Sequence, residues 1–257
     1  MKKTLCTVAA LCLSLGAFAL PPITMGLKAS FELPSAGSSF ADGNFKDDMT
    51  TLSNTLSQMG VDVKENTGFG GSANFFTNFQ LFQNDALTLG VQPEIGFSLL
   101  GWYYLNASGS MLGQTYSLES PFGWVCLDLP VLVTVGVDLT SWFGLEFGIG
   151  PQLSFYFLGG GDQTLKVNGS ESSDALYLES EPEMGILFGM VAEANAKFYL
   201  SKSWGLIAGL KYSMDFTPTT FNVEQKVSGE RIQISRYDES KAFRRSLGIT
   251  VGVQKKF

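Results

Sequence analysis

Ten charged side chains occupy alternating positions in otherwise apolar segments, and their types and spacing make them the residues best suited to chemistry. They are Lys28, Glu32, Glu94, Asp128, Glu146, Glu193, Lys197, Lys211, Asp215 and Arg244. Glu94 and Glu146 could act as paired carboxylates in acid–base catalysis, but their spacing does not single them out. Acids and bases gathered on one face instead predict a network of ion pairs and hydrogen bonds.

Histidine is absent from the 257 residues. Its absence excludes Ser-His and Cys-His nucleophiles, histidine-bound metals and imidazole proton shuttles. The 24 acidic residues outnumber the 17 basic ones, for a net charge of −7, which argues against a nucleic-acid partner. We therefore expect no enzymatic activity, no cofactor and no metal site.

The first residues have the pattern of an export signal. Lys2 and Lys3 precede a short apolar run, and the small residues at 17 and 19 form a cleavage motif. The apolar run is too short for a membrane span. We predict a cleaved signal peptide over residues 1–19 and one mature domain over 20–257.

Eight later segments alternate apolar and polar residues with a period of two, as half-buried strands do. They begin near Ile23, Phe69, Leu87, Val125, Phe143, Ile186, Trp204 and Leu247. Each is long enough for the roughly 9–11 residues that cross a bilayer as a tilted strand. We predict an all-β fold, an eight-stranded antiparallel transmembrane up-and-down β-barrel.

Alternation alone does not say which face points inward. A soluble barrel or sandwich, with its apolar face inside, is the alternative. The apolar face continues through all eight segments, enough to wrap a whole barrel, while the sparse charges lie on the other face. This favours apolar residues facing lipid.

Short and long connectors alternate along the chain. The short ones lie at 83–85, 139–141 and 201–203, and the long ones at about 34–66, 106–115, 159–183 and 217–241. Strict alternation places all tight turns at one end of a barrel and all long loops at the other. In an outer membrane we expect the turns and both termini in the periplasm, and the long loops outside the cell.

The inward face of such a barrel holds the ten charged residues. An eight-stranded barrel is about filled by its own side chains, so a network that plugs it is the simpler interpretation. A narrow path that favours cations is the alternative, because acids exceed bases. Pro93, Pro130 and Pro151 fall within strands and predict β-bulges there.

The first long connector carries an apolar stripe at helical spacing. Its members are Phe45, Met49, Leu52, Leu56 and Met59. The spacing predicts an amphipathic helix. This helix either packs on the barrel rim or covers an entrance for an apolar ligand.

The fourth connector keeps the alternation of a strand. Phe221 and Val223 precede a Ser-Gly turn at 228–229, and Ile232 and Ile234 follow it. We expect a hairpin that extends the last strands outward. An exposed hairpin edge can recruit a partner by strand addition, which suggests an adhesin or host-interaction role.

Local motifs resemble those of the small outer-membrane β-barrel family. The matching residues are Leu127-Asp128-Leu129-Pro130, Gly150-Pro151 and the strand Leu89 to Ser98. The resemblance implies an eight-stranded barrel like the OmpX- and OmpW-type proteins, and the general character of the sequence suggests a spirochaete-type member. OmpW-type barrels are thought to pass small hydrophobic molecules, and an OmpX-type protruding hairpin is proposed to bind partners.

The last segment ends on an aromatic residue after alternating apolar ones. Val251, Val253 and Phe257 resemble the signal that the outer-membrane assembly machinery recognises. Lys255 departs from it, because an apolar residue usually stands two places before the end. Its long side chain can reach the periplasmic interface, so we expect the strand to close the barrel.

These patterns lead to one functional expectation and one alternative. We expect a non-enzymatic, monomeric, multi-pass protein in the outer membrane of a diderm bacterium, which passes small solutes, hydrophobic ones included. The alternative is an adhesin or structural protein that acts through its outer loops. Expected partners are outer-membrane lipid, the assembly machinery, and a small hydrophobic solute or a host-surface ligand.

Overall fold

Antiparallel strands make up almost all of the chain that the structure describes. The structure, a computed structural model, describes residues 22–34, 41–42, 51, 54–55, 57–58, 60–66, 68–84, 86–111, 113–171, 176–182, 185–227 and 230–257. The strands are β1 (Ile23–Pro34), β2 (Ala41–Asp42), β3 (Asp62–Asn66), β4 (Gly70–Gln83), β5 (Leu87–Met111), β6 (Gln114–Asp138), β7 (Phe143–Val167), β8 (Ser170–Glu171), β9 (Leu176–Pro182), β10 (Ile186–Tyr199), β11 (Trp204–Asp215), β12 (Thr219–Val227), β13 (Glu230–Ala242) and β14 (Arg245–Lys256). Within these residues, no helix is long and apolar enough to cross a membrane.

Eight of the strands form a closed ring in chain order: β1, β4, β5, β6, β7, β10, β11 and β14. Every neighbour in the ring is antiparallel, and β14 returns to pair with β1 from Thr24↔Lys256 to Pro34↔Ser246. All ladder hydrogen bonds are therefore made within the ring, which has no free edge. The predicted eight-stranded antiparallel up-and-down barrel is confirmed.

Tight turns join the ring strands at one end, and polar side chains stabilise them. Asn84 Oδ1 accepts hydrogen bonds from the N–H groups of Ala86, at 3.1 Å, and Leu87, at 2.6 Å. Ser201 Oγ accepts one from the N–H of Trp204 at 3.1 Å. Asn and Ser favour turns because they bond to nearby backbone groups in this way. The turns lie at the three short connectors that the sequence indicated.

At the other end the strands continue well beyond the ring. β5, β6 and β7 each have 25 residues, or about 80 Å at about 3.3 Å per residue. β9 pairs with β7 and β12, β12 with β13, β13 with β2, and β3 with β5. These pairings form an extension of the barrel wall, called the outer wall below.

The outer wall differs from the loops expected at about 106–115 and 159–183, whereas the hairpin expected within 217–241 is present as β12 and β13, paired from Thr219↔Ala242 to Val227↔Glu230. The first of these is strand on both sides, with Met111 paired to Gln114. In the second, β7 continues to Val167 and turns at Asn168 and Gly169, with φ of 50° and 80°. Positive φ at both positions is typical of a type I′ hairpin turn. Both segments consist mostly of polar residues and glycine, so they carry no apolar alternation that would reveal the strands.

The bulges predicted at the three strand prolines are wrong. Register is unbroken from Pro93↔Val131 to Gly96↔Asp128, and the pairs beside Pro130 and Pro151 are also in register. A bulge needs an inserted residue, whereas proline removes only one hydrogen-bond donor. A register shift occurs instead on the β6–β7 ladder, next to Val125.

The two faces of the ring differ sharply in polarity. On β14, Ile249 and Val251 are 63% and 58% exposed, whereas Thr250 between them is 1% exposed. Similar alternation runs along β4, β10 and β11. Apolar side chains therefore cover the outside of the barrel and polar side chains fill the inside, which is the opposite of a soluble barrel.

A closed barrel without free edges should resist detergent until it is heated. We expect protein in sodium dodecyl sulfate to migrate faster before boiling than after it, because the folded ring is more compact. Electrophoresis of matched unboiled and boiled samples measures this. Identical migration under all detergent conditions tried would contradict the closed ring.

Candidate functional site: the charged interior

The ten charged residues singled out in the sequence all lie inside the ring. Nine are buried and Lys197 is half-buried. Nine of them lie on six ring strands, β1, β5, β6, β7, β10 and β11, and Arg244 directly precedes β14. An isolated buried charge is costly, so the partners of each one decide whether the interior is stable.

The Lys28 cluster crosses the barrel near its middle. Lys28 Nζ on β1 donates to Glu94 Oε1 on β5 at 2.6 Å and to Glu193 Oε2 on β10 at 2.5 Å. Asn74 Nδ2 donates to the second oxygen of Glu94 at 2.9 Å, and Asn195 Nδ2 donates to Glu193 at 3.1 Å. One cation thus holds two carboxylates that come from well-separated strands.

The Lys211 cluster joins β11 to β1. Lys211 Nζ donates to Glu32 Oε1 and to Ser72 Oγ, both at 2.9 Å. Ser72 and Ser246 each donate to one oxygen of Glu32, at 2.6 Å. The Glu32 carboxylate therefore has a cation and two hydroxyl donors, as a buried carboxylate requires.

The Arg244 cluster spans the barrel toward the outer wall. Arg244 Nε donates to Asp215 Oδ2 at 2.8 Å, and one terminal nitrogen donates to Asp128 Oδ1 at 3.0 Å. Further donations reach Ser98 at 3.1 Å and Ser154 at 2.7 Å. In the ring, β6 with Asp128 lies opposite β14. The planar guanidinium can bridge this width because its donors point in several directions at once.

The fourth pair lies toward the turn end. Lys197 Nζ donates to Glu146 Oε2, which also accepts from Asn78 Nδ2 at 3.4 Å. Close by, the Tyr199 hydroxyl donates to Asp138 Oδ1 at 2.5 Å. The sequence interpretation missed this last contact, although Asp138 follows the same alternation as Asp128.

Glu94 and Glu146 each pair with a different lysine. Each belongs to a different cluster, and they are linked only through Gln92 and Asn78, which hydrogen-bond to each other at 3.0 Å. Both carboxylates already accept hydrogen bonds from lysine. Within the described residues, no three His, Cys, Asp or Glu side chains are grouped to hold a metal ion.

Apolar side chains fill the space between the charged clusters, and the sequence interpretation missed them. They are Phe76, Leu100, Trp124, Leu132, Leu187, Val191 and Ile207. One sequence signal could have revealed them: each is an apolar residue on the face of its strand that otherwise carries polar residues. Phe76 also needs a small neighbour: a Cβ at Gly26 would lie 2.6 Å from its ring.

Two other predicted groups lie elsewhere. The stripe of Phe45, Met49, Leu52, Leu56 and Met59 lies outside the described residues. Of the assembly-signal residues, Val251 and Val253 face outward from β14, and the N–H of Phe257 donates to the carbonyl of Ile23 at 2.9 Å. The end of the chain is thus bonded to the start of β1.

Comparison with known protein families finds no family that matches the chain, and no curated protein matches it. Solved structures do share its architecture. A major outer membrane protein from Thermus thermophilus is 15% identical, with a TM-score of 0.48, over 91% of this chain and 99% of that one. Outer membrane protein OprG from Pseudomonas aeruginosa is 10% identical, with a TM-score of 0.40, over 92% and 96%. Neisserial surface protein A is 12% identical, with a TM-score of 0.39, over 91% and 97%. These likenesses concern the fold alone.

Removing the cation of the Arg244 cluster should destabilise the barrel. In Arg244→Met, Asp128 and Asp215 remain buried without their cation, and we expect a loss of about 3–5 kcal/mol in the free energy of unfolding. Urea unfolding of the refolded barrel measures this.

Arg245→Met is the matched control, because Arg245 is adjacent in sequence and only half-buried. Its guanidinium lies over the Phe243 ring at 5.8 Å, so we expect a loss of about 1 kcal/mol or less. If both variants lose the same free energy of unfolding, the buried ion pairs of Arg244 stabilise the barrel no more than the half-buried Arg245 does.

Proposed function

We propose that the protein is a non-enzymatic outer-membrane barrel whose interior is closed by ion pairs and which acts through its outer wall. The apolar outside of the barrel supports the membrane placement. Outward Leu87 and Leu99 lie about 40 Å apart along β5, so a strand tilt of about 40° gives an apolar band about 30 Å tall. This matches the hydrocarbon thickness of a bilayer.

Aromatic rings lie near both ends of this band. At the turn end the Phe143 ring contacts those of Trp142, at 5.6 Å between centroids, and Phe198, at 5.3 Å. At the other end Phe31 and Phe69 stack at 6.1 Å. Aromatic girdles at both interfaces are typical of outer-membrane barrels. We place the turns in the periplasm and the outer wall outside the cell.

The cross-barrel ion pairs carry the proposal that the lumen is closed. Lys28 and Arg244 each reach carboxylates on separated strands, and apolar side chains fill the space between. A solute moving along the axis would have to break these buried pairs, which is costly. Passage of small solutes is therefore the less favoured function, and a network that plugs the barrel is favoured over a cation path.

Planar-bilayer recording distinguishes a closed lumen from a pore. We expect purified, refolded protein to insert without producing discrete conductance steps, because buried ion pairs block the axis. The same preparation should show heat-dependent migration, which proves that folded barrels were added. Reproducible unit steps from folded protein would overturn the closed lumen and favour solute passage.

The β12–β13 hairpin supports an interaction role. It rises from the last two ring strands and pairs through Val227↔Glu230 at its tip. β9 covers one side of it along seven residue pairs, whereas the described pairing on the other side is limited to Lys241↔Asp42 and Ala242↔Ala41. We propose that the part of the β13 edge without a partner among the described residues accepts an extended segment of a partner protein. A host-surface ligand is the partner we propose.

Shortening this hairpin should abolish binding to host surfaces. We propose to replace residues 221–240 with a short Gly-Ser turn. The intact and the shortened protein are then expressed in the outer membrane of a bacterial strain that does not adhere by itself. Cells carrying the intact protein should adhere to collagen-coated wells or cultured epithelial cells more than cells carrying the shortened form. Equal adhesion, with equal amounts of folded barrel, would rule out the hairpin as the binding element.

The end of β14 supports recognition by the assembly machinery. Phe257 is 67% exposed, and Lys255 Nζ lies 4.8 Å from its ring centroid and 5.6 Å from that of Trp204. The lysine charge thus lies against aromatic rings at the periplasmic interface, where it is tolerated. We propose that Val251, Val253 and Phe257 form the recognised signal despite Lys255.

Phe257→Ala should lower assembly in cells more than it lowers stability. The exposed ring makes few contacts inside the barrel, so we expect unfolding in urea to change by less than about 1 kcal/mol. The amount of heat-modifiable protein in the outer membrane should fall several-fold. Wild-type levels of inserted protein would contradict a role in assembly.

A further inference from the structure

The outward face of β14 carries a cation at each end of an apolar run. Arg245 and Lys255 are the two cations, and the exposed residues between them on this face are Leu247, Ile249, Val251 and Val253. The two cations are ten residues apart, or about 33 Å along the strand. A strand tilt of about 40° makes this a height of about 25 Å, which is the usual height of the apolar band of an outer-membrane barrel. Each cation therefore lies at one membrane interface.

Arg245 lies at the interface nearer the outer wall, beside aromatic side chains. It is paired with Met214 on β11, and the N–H of Asp215 donates to the carbonyl of Arg244 at 2.8 Å. Phe216, the next residue after Asp215, is 55% exposed. Aromatic residues on the outside of a barrel are typical of the headgroup level. The Arg245 guanidinium is thus placed among the headgroups of the outer leaflet.

The guanidinium of Arg245 has its hydrogen-bond donors unused. Among the residues that the structure describes, it forms no ion pair and donates no hydrogen bond, and its contact is the Phe243 ring, 5.8 Å from the ring centroid. An aromatic ring can stack on the flat face of a guanidinium, whereas the five N–H donors lie at its edge. A half-buried cation without an anion is costly. The compensating anion must therefore come from outside the protein.

Lys255, at the other end of the run, differs from Arg245 in its surroundings and in its chemistry. Its ammonium lies 4.8 Å from the Phe257 ring centroid and 5.6 Å from that of Trp204. An ammonium is also a strongly hydrated point charge, and its long stem lets it reach periplasmic water. The planar guanidinium of Arg245 instead matches the geometry of phosphate oxygens, which it can bind through two parallel hydrogen bonds.

We propose that Arg245 binds the phosphate of an outer-leaflet lipid whose acyl chains lie on the apolar run of β14. Leu247 and Ile249, which follow Arg245 on the same face, are 51% and 63% exposed and offer an apolar surface next to the guanidinium. The ligand class is a phosphorylated lipid, because free phosphate would leave this surface unused. The inference rests on the proposed membrane placement and adds a lipid site to it.

Native mass spectrometry of the full chain tests the lipid site. The refolded barrel is kept in tetraethylene glycol monooctyl ether, an uncharged detergent, and is titrated with dioleoyl phosphatidylglycerol or with dioleoylglycerol. The two lipids share their acyl chains and differ in the phosphate. We expect the phosphorylated lipid to bind the wild type about tenfold more tightly, because hydrogen bonds to a charged group are the strong ones.

Two substitutions in β14 locate the binding. In Arg245→Met we expect phosphatidylglycerol to bind about tenfold more weakly, because the charge-assisted hydrogen bonds are lost, and dioleoylglycerol to bind as before. Lys255→Met is the matched control, since it removes a half-buried outward cation from the other end of the same strand. We expect this control to bind phosphatidylglycerol as tightly as the wild type does.

Three outcomes would overturn the lipid site. These are equal affinity of the two lipids for the wild type, equal weakening in the two variants, and displacement of phosphatidylglycerol by an equal concentration of inorganic phosphate. Should Arg245→Met lose its heat-modifiable form, Arg245→Gln replaces it, with the same weakening expected. Insertion of the wild type into liposomes tests the membrane placement separately. A barrel that inserts but does not prefer the phosphorylated lipid keeps its placement and loses the site.

Discussion

Pairing of buried charge is the constraint on which the rest of the structure depends. The ring encloses six carboxylates and four cations from the predicted set, all but one of them fully buried. Charges removed from water are tolerated only when ion pairs and hydrogen bonds compensate them. Each cation of this set therefore contacts at least one carboxylate, and Ser, Asn or Gln side chains donate to five of the six carboxylates.

The same pairing ties barrel closure to interior order. β1 and β14 close the ring, and they lie beside three of the charges with distant partners, Lys28, Glu32 and Arg244. These charges reach their partners on β6, β10 and β11 only when the ring is complete. Backbone ladder bonds and cross-barrel ion pairs are thus formed together, which favours a single register for the closing strands.

The polarity of the two faces follows from one alternation but has two consequences. Outward apolar residues suit lipid surroundings, where unpaired backbone groups are not tolerated and a closed ring is required. Inward polar residues would leave a wet channel in a wider barrel, but eight strands enclose only enough space for their own side chains.

The sequence by itself determined the eight strands of the ring, the tight turns and the shared face of the ten charged residues, because a period of two records which residues lie on the same face. It predicted the hairpin of the fourth long connector but not that the second and third connectors continue as strands, since polar strands such as the end of β7 carry no apolar pattern. Only the tertiary structure decided which charges meet. Arg244 and Asp128 are separated by 116 positions, and ring closure alone brings them together.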